Sequence, residues 1–377
     1  MLTRRQTLAA AMAAPVAVPL AAPRLARAQQ GQPYVVGTLF PMAGPNAEYG
    51  GVFTAGVQMA LDHIAADRML GRPVELRAQD SQGTPQGGAT GMTKLASVDR
   101  ANYVLVGFTG VSKAAAPIAA RAKVPMVNGG GVGPDLAGLS PYFWNVIPLV
   151  NLEVRALLPW LGRSGLKKIA LIYVDDPFGN AILAELRRGL PEVGASLVGT
   201  FSVPPGSQQF AAVAAKVRDA GADAVYFASY GAQQSQIIKQ LRDNGVSQQL
   251  LTYSGATLAS VAALPEAEGL VFTRQAADWS SDDPVTKRFV TDWRAKHGGD
   301  PGSYHQNYYN GTRLFALLAQ GLEKQNRPVD GDGLRAELLR VREFAFVGGK
   351  ASFDDQGCVT MPIEVNKLQG GQYVRLS

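Results

Sequence analysis

The sequence predicts an α/β protein of two doubly wound parallel-sheet lobes that face each other across a ligand cleft. Three observations carry this. Short β-branched or apolar runs alternate with helix-periodic stretches along almost all of the 377 residues. The alternation breaks at 141–148 and then restarts, which gives two successive β-α series. About 350 residues remain once a leader is set aside, enough for two cores of roughly 150–200 residues each. In open sheets of this kind, ligands sit beyond the carboxyl ends of the strands.

Residues 34–39 form a β-branched run that stops before Pro41. Phe53, Val57, Ala60, Leu61 and Ile64 recur at helical spacing, and Val74, Leu76 and Ala78 alternate with more polar neighbours as a half-buried strand does. Thr84-Pro85 reads as an N-cap and first-turn proline, opening a helix that reaches Val98. The short runs 103–107 and 124–128 suit parallel strands buried on both faces. After the break, Leu152, Ala156, Leu157, Trp160 and Leu161 mark a helix face. A strand follows at 168–174, then a second face of Phe178, Ile182, Leu186 and Leu190. Further strands are expected at 196–203, 223–228, 250–253 and 270–273, with helices at 207–220, 231–244 and 256–264 between them. The chain turns helical over 284–297, 303–324 and 332–342. It closes in a hairpin, 362–368 and 373–376, around Gly370-Gly371. Ile147-Pro148 is the place expected for the first hinge.

Residues 1–28 read as an export signal. Arg4-Arg5 precede an alanine-rich apolar stretch broken by Pro15 and Pro19, and Ala26-Arg27-Ala28 supplies the small residues of a cleavage site. The arginine pair is similar to the twin-arginine type, with Thr7 and Ala9 in place of the usual aromatic and lysine; an ordinary basic signal is the plainer alternative. Cleavage removes four arginines, leaving 32 basic against 30 acidic residues, so the net charge falls from +6 to +2 and gives no reason to expect nucleic acid. Cys358 stands alone, so no disulfide framework is expected. No later stretch is long and apolar enough to span a bilayer, and a soluble mature chain is the expectation.

The motifs then become recognisable in order. Val36-Gly37-Thr38-Leu39-Phe40-Pro41-Met42-Ala43-Gly44-Pro45 is followed by Tyr49-Gly50 and Gly56, then by Gly71-Arg72-Pro73-Val74-Glu75-Leu76 with Asp80. Ala116-Pro117-Ile118-Ala119, Val124-Pro125, Lys168-Ile169-Ala170-Leu171-Ile172-Tyr173 and Phe178-Gly179 come next. Asp223-Ala224-Val225-Tyr226, Tyr309-Asn310-Gly311 and Phe353-Asp354-Asp355-Gln356-Gly357 complete the series. Together they resemble the type I periplasmic solute-binding proteins of the branched-chain amino acid (leucine-binding protein-like) family. The resemblance implies three hinge crossings, with 34–147 and 277–352 in the first lobe and 148–276 and 353–377 in the second. It also implies a periplasmic monomer that hands a small-molecule ligand to an ABC permease complex.

Loops between a strand end and a helix start converge several N–H groups at the positive end of a helix dipole, which suits small anions. Thr109-Gly110-Val111-Ser112 is such a loop, before a helix expected near Lys113; Ser112 by itself reads as an N-cap worth ~1 kcal/mol. The resemblance places the family's carboxylate-binding loop here. It places the second ligand loop at Asn128-Gly129-Gly130-Gly131, where Val132 replaces a frequent threonine. Tyr49 and Tyr230 match cleft aromatics of the family, and Phe178 stands where tyrosine is usual. Ser254 falls at the position of the acid that binds the α-ammonium in amino-acid binders. A serine leaves that charge unneutralised at a cost of several kcal/mol. The expected ligand is therefore a carboxylate with an apolar or aromatic body, unless another acid such as Asp278 takes over; a branched-chain amino acid is the other option.

Catalysis is not expected, and neither a cofactor nor a metal. Gly-x-Ser-x-Gly, the phosphate loop and His-Glu-x-x-His are all missing, and His63, His297 and His305 are scattered. Asp175-Asp176 and Asp354-Asp355 fit solvated turns, and Gly129–131 lacks dinucleotide-binding spacing. The alternative in another class is a periplasmic sensor that presents an amide, urea or amino acid to a receptor.

Overall fold

The computed structural model describes residues 31–377; the expected export signal lies outside the described residues. The first sheet is wholly parallel, in the order β2-β1-β3-β4-β5. Its strands are β1 (Tyr34–Phe40), β2 (Val74–Asp80), β3 (Tyr103–Val106), β4 (Met126–Asn128) and β5 (Phe143–Asn145). Helices α1 (Ala47–Ala66), α2 (Pro85–Ser97) and α3 (Thr109–Ala122) connect them. Helices cover both faces, so β3 and β4 are buried throughout and read as continuous apolar runs. Thr84 caps α2 as expected, accepting from the Gly87 N–H at 3.0 Å. Strand β5 sits inside the break expected at 141–148, because three residues are too few to show a period.

The second sheet begins after α4 (Val150–Ser164) with β6 (Lys168–Val174), α5 (Pro177–Gly189), β7 (Ser196–Val203) and α6 (Ala211–Asp219). It continues with β8 (Ala224–Ala228), α7 (Ala232–Asp243), β9 (Gln249–Thr252), the short α8 (Ala259–Ala262) and β10 (Val271–Gln275). Helices α9 (Pro284–His297), α10 (Ser303–Lys324) and α11 (Gly331–Val341) follow. Helix α10 returns to the first sheet, where the Tyr103 hydroxyl donates to the Gly311 carbonyl at 2.8 Å and Tyr308 to that of Val106 at 2.9 Å.

A three-stranded antiparallel sheet, β11 (Glu343–Phe346), β12 (Gly349–Phe353) and β13 (Val359–Thr360), comes next. Sequence reading missed it, because its strands are short and its core is only the cluster of Phe344, Phe346 and Phe353. Residues 353–360, expected with the second lobe, pair within this sheet and bridge Cys358 to Asn145 beside β5. The chain rejoins the second sheet only afterwards, as the antiparallel edge hairpin β14 (Ile363–Gln369) and β15 (Gln372–Arg375) around Gly370-Gly371. The order is β15-β14-β10-β9-β8-β6-β7, with a parallel centre. The chain thus passes between sheets three times. The second and third passages run side by side, joined from the Ala276 N–H to the Pro362 carbonyl at 2.9 Å.

Candidate functional site

A cavity of about 250 Å³ lies where the carboxyl ends of the two sheets meet. Its walls are the segments just beyond β2, β3, β4, β6, β7, β8 and β9, the place that doubly wound sheets reserve for ligands, together with Tyr49 of α1 and Tyr304 of α10.

The first sheet contributes mostly backbone. Helix α3 starts at Thr109, and Phe108 stands at its N-cap with φ 67° and ψ 136°. This is a costly conformation for a non-glycine residue, of a kind that clusters at functional sites. It turns the chain sharply, so the first N–H groups of α3, at Thr109 and Gly110, end at the cavity wall. Gly130 and Gly131 line the opposite side of this corner. A Cβ on Gly131 would lie 2.9 Å from both the Phe108 carbonyl carbon and the Thr109 nitrogen, so only glycine lets the loops approach this closely. Asn128 organises the second loop from beneath: its Oδ1 accepts from the Gly130 and Gly131 N–H groups, and its Nδ2 donates to the Gly131 carbonyl.

The second sheet contributes rings. Phe178 stacks obliquely on Tyr253 at 4.8 Å and approaches Tyr230 at 5.9 Å. Tyr230 in turn meets Phe108 of the other lobe at 5.1 Å. Tyr49 packs edge-on to Phe108 and Tyr304, which closes an aromatic box. Burial pushes the Tyr49 hydroxyl up to about 12 and keeps it neutral. By hydrogen-bond geometry it has no partner, although the hydroxyls of Tyr253 and Tyr304 lie near. Asp176 is the acid on the cavity wall. It caps α5 through the Gly179 N–H at 2.9 Å and accepts the Tyr230 hydroxyl at 2.5 Å. Burial raises its proton affinity above the ordinary carboxylate value, against the pull of these bonds.

Of the residues expected at the site, Tyr49, Thr109, Gly110, Gly130, Phe178 and Tyr230 line the cavity. Four do not. Asn128 is wholly buried beneath its loop, and Gly129 packs on Tyr308 and Asn307. Ser112 is not an N-cap, because the helix begins four residues earlier than expected; its N–H already donates to the Phe108 carbonyl. Ser254 turns away from the cavity to Glu153, donating to its carboxyl from Oγ at 2.8 Å and from N–H at 3.0 Å. Thr273 adds a third hydrogen bond to Glu153 at 2.7 Å. Burial nevertheless pushes Glu153 up to about 7. Asp278 is exposed and bonded to Ser280, so it does not replace the missing acid. Sequence reasoning overlooked Phe108, Tyr253, Tyr304 and Asp176 as wall residues. Only the DDPF turn, with an acid before the first-turn proline of a helix, carried a usable signal, that of Asp176 as a cap.

Among the described residues, no group of three or more His, Cys, Asp or Glu is placed to hold a metal ion. The cavity offers backbone donors at a helix start on one side and ring faces from both lobes around them.

Comparison with known proteins agrees with this geometry. A leucine/isoleucine/valine-binding protein homologue of Brucella melitensis is 24% identical over 348 residues, covering 90% of this chain and 93% of its own. The leucine-, isoleucine-, valine-, threonine- and alanine-binding protein of Pseudomonas aeruginosa is 23% identical, covering 84% of each chain. Among solved structures, a solute-binding protein of an ABC transporter from R. palustris in complex with benzoate superposes with a TM-score of 0.84 at 18% identity, over 92% of this chain and 96% of that one. A leucine-binding protein of Thermotoga maritima superposes with a TM-score of 0.83 at 20% identity, over 91% and 98%. The family model described as periplasmic binding protein matches residues 33–372. The chain therefore belongs to the periplasmic binding protein family, among the type I members related to the branched-chain amino acid binders.

Proposed function

We propose that this periplasmic binding protein captures a small carboxylate with an aromatic or apolar body and hands it to the permease of an ABC importer. The observation that carries this reading is the pairing of a helix start, Thr109-Gly110, with a box of rings in a cavity from which the position-254 side chain is turned away. A carboxylate gains from the α3 N–H groups and dipole, and its apolar body is buried against Phe178, Tyr230 and Tyr253. Asp176 already serves a helix cap through the Gly179 N–H and accepts the Tyr230 hydroxyl, so its two oxygens are engaged within the protein. The benzoate in the R. palustris relative is a ligand of this class.

Lobe closure supplies the mechanism. A ligand seated on the first lobe's backbone gains the second lobe's rings only when the hinges close, so binding shifts an open–closed equilibrium. Glu48 supports the closed form by accepting the Ser260 N–H across the cleft at 3.0 Å. In this reading the lobes comprise 34–147 with 277–360, and 148–276 with 361–377, the last crossing falling at Met361-Pro362. Export follows the twin-arginine route and the protein works as a monomer.

Calorimetric titration with benzoate, hydroxybenzoates, short aliphatic acids, leucine, isoleucine and valine tests the ligand class. Tight binding of an aromatic acid is expected. Tight leucine or valine binding, with none for the aromatic or aliphatic acids, overturns it.

A further inference from the structure

A second cavity, of about 460 Å³, adjoins the ligand cavity, and Tyr304 borders both. The same three segments run from one to the other. On α1, Tyr49 lines the first cavity and Val52 the second. Beyond β9, Tyr253 lines the first and Leu258 the second. At the start of α10, Tyr304 lines both and His305 only the second. Three residues of helix advance about 4.5 Å, so along α1 the two cavities stand about one side chain apart. Tyr304 is the side chain at that place.

The ring of Tyr304 is fixed rather than loose. It is 2% exposed, packs edge-on to Tyr49 at 5.4 Å and lies tilted against Phe53 at 5.5 Å. Its backbone is pinned as well. A Cβ on Gly56 of α1 would stand 2.4 Å from the His305 carbonyl oxygen, so a glycine there lets α10 start in direct contact with α1. His305 Nδ1 accepts the Gly302 N–H at 2.9 Å and holds that first turn.

The far cavity has the lining of an apolar compartment. Val52, Leu258, Ala259 and Ala262 meet the rings of Trp279 and Tyr373 there. The charged residues on its border are already paired, Arg274 with Glu364 at 2.8 Å and Asp300 with Arg294 at 2.7 Å. It therefore suits an uncharged extension of a ligand, not a second charge.

We propose that Tyr304 is a specificity-determining residue for ligand length: its ring is the partition that confines the ligand to the first cavity, and without it the two cavities form one site for acids with a longer apolar body. This deepens the reading of the first cavity as a carboxylate site and rests on it.

The test is calorimetric Kd measurement for benzoate, 3-phenylpropionate and 4-phenylbutyrate. The wild type is expected to bind benzoate about tenfold more tightly than 4-phenylbutyrate. In Tyr304→Ala the ratio moves about 30-fold toward the longer acid, since each newly buried methylene is worth about fourfold. Tyr304→Leu, which keeps apolar packing against Tyr49 and Phe53, shifts the ratio the same way by less and covers a folding defect in the first variant. Tyr304→Phe keeps the partition and the wild-type ratio. Phe178→Ala also removes a ring, but one that borders the first cavity alone, and moves the ratio less than about threefold. Adding Ala262→Trp to Tyr304→Ala fills the far compartment and restores the preference for benzoate.

Four results overturn the inference while leaving the carboxylate site standing. They are a wild type that binds 4-phenylbutyrate as tightly as benzoate, an unchanged ratio in both Tyr304→Ala and Tyr304→Leu, a shift in Tyr304→Phe or Phe178→Ala as large as in Tyr304→Ala, and a shift that survives Ala262→Trp. Failure of every aromatic acid to bind the wild type overturns the site reading and this inference with it.

Discussion

The two walls of the cleft are built from different materials. The first lobe presents main chain beside the rings of Tyr49, Phe108 and Tyr304: a helix start forced by Phe108 at φ 67°, and a glycine loop held from below by Asn128. The second presents side chains: Phe178, Tyr230 and Tyr253, with Asp176 tying Tyr230 to a helix cap. Main-chain donors are rigid and anion-specific but indifferent to the rest of a ligand. Ring faces are the reverse, reading shape and apolar area with little preference for charge. In the proposed reading, the main-chain donors hold the ligand's head and the rings select its body.

Several substitutions break or sharpen this contrast. The largest expected effect is at the main-chain wall. Gly131→Ala drives a Cβ into the Phe108–Thr109 peptide at 2.9 Å and displaces the donors, so affinity for any carboxylate drops about 100-fold in calorimetry. A loss confined to one acid would show that the loop reads the body as well as the head.

Behind the second wall, Glu153 links stability to pH. Its folded value of about 7 lies above the ordinary 4.5, so between those values the unfolded chain binds fewer protons and stability falls as pH rises. The contribution approaches about 3 kcal/mol across that window. Melting curves of wild type and Glu153→Gln should therefore diverge with pH, the wild type losing stability relative to the variant from pH 4.5 to 7. Parallel curves would show that Glu153 stays ionised throughout.

At the ring wall, Phe178→Ala costs roughly tenfold for aromatic acids and less for acetate-sized ones, since it removes area rather than a donor. Equal losses for both would erase the distinction between walls. Glu48→Ala removes the Ser260 bond across the cleft and weakens every ligand about threefold without altering the order of preference, as titrations of the same panel would show. Asp278→Asn leaves all affinities unchanged, because the residue is exposed and away from the cavity.

Legibility followed length of pattern. The helices expected at 284–297 and 303–324 have those bounds in the structure, because long amphipathic segments with caps such as Asp283 advertise themselves. Strand β5 and the β11–β13 sheet escaped because runs of two to five residues carry no period. At the site, residues that closely follow a strand line the cavity, as Thr109, Gly130 and Tyr230 do. Ser112 and Ser254 stand beside lining residues but do not line the cavity themselves. A helix that starts four residues early moves a side chain off the cavity wall, and a buried acid 101 residues away draws a serine toward itself.

The sequence by itself determined the alternation of strands and helices, the two sheets, the family and several of the loops that line the cavity. These depend on local periodicity, caps and glycine placement, all of which act over a few residues. Only the tertiary structure decided which atoms of those loops face the cavity. It assigned Phe108, Tyr253 and Tyr304 to the box, turned Ser254 toward Glu153, and brought 353–360 to the side of β5. The physical reason is common to all three. Each is settled by a contact between residues far apart in the chain, where packing and the pairing of buried polar groups outweigh any local preference.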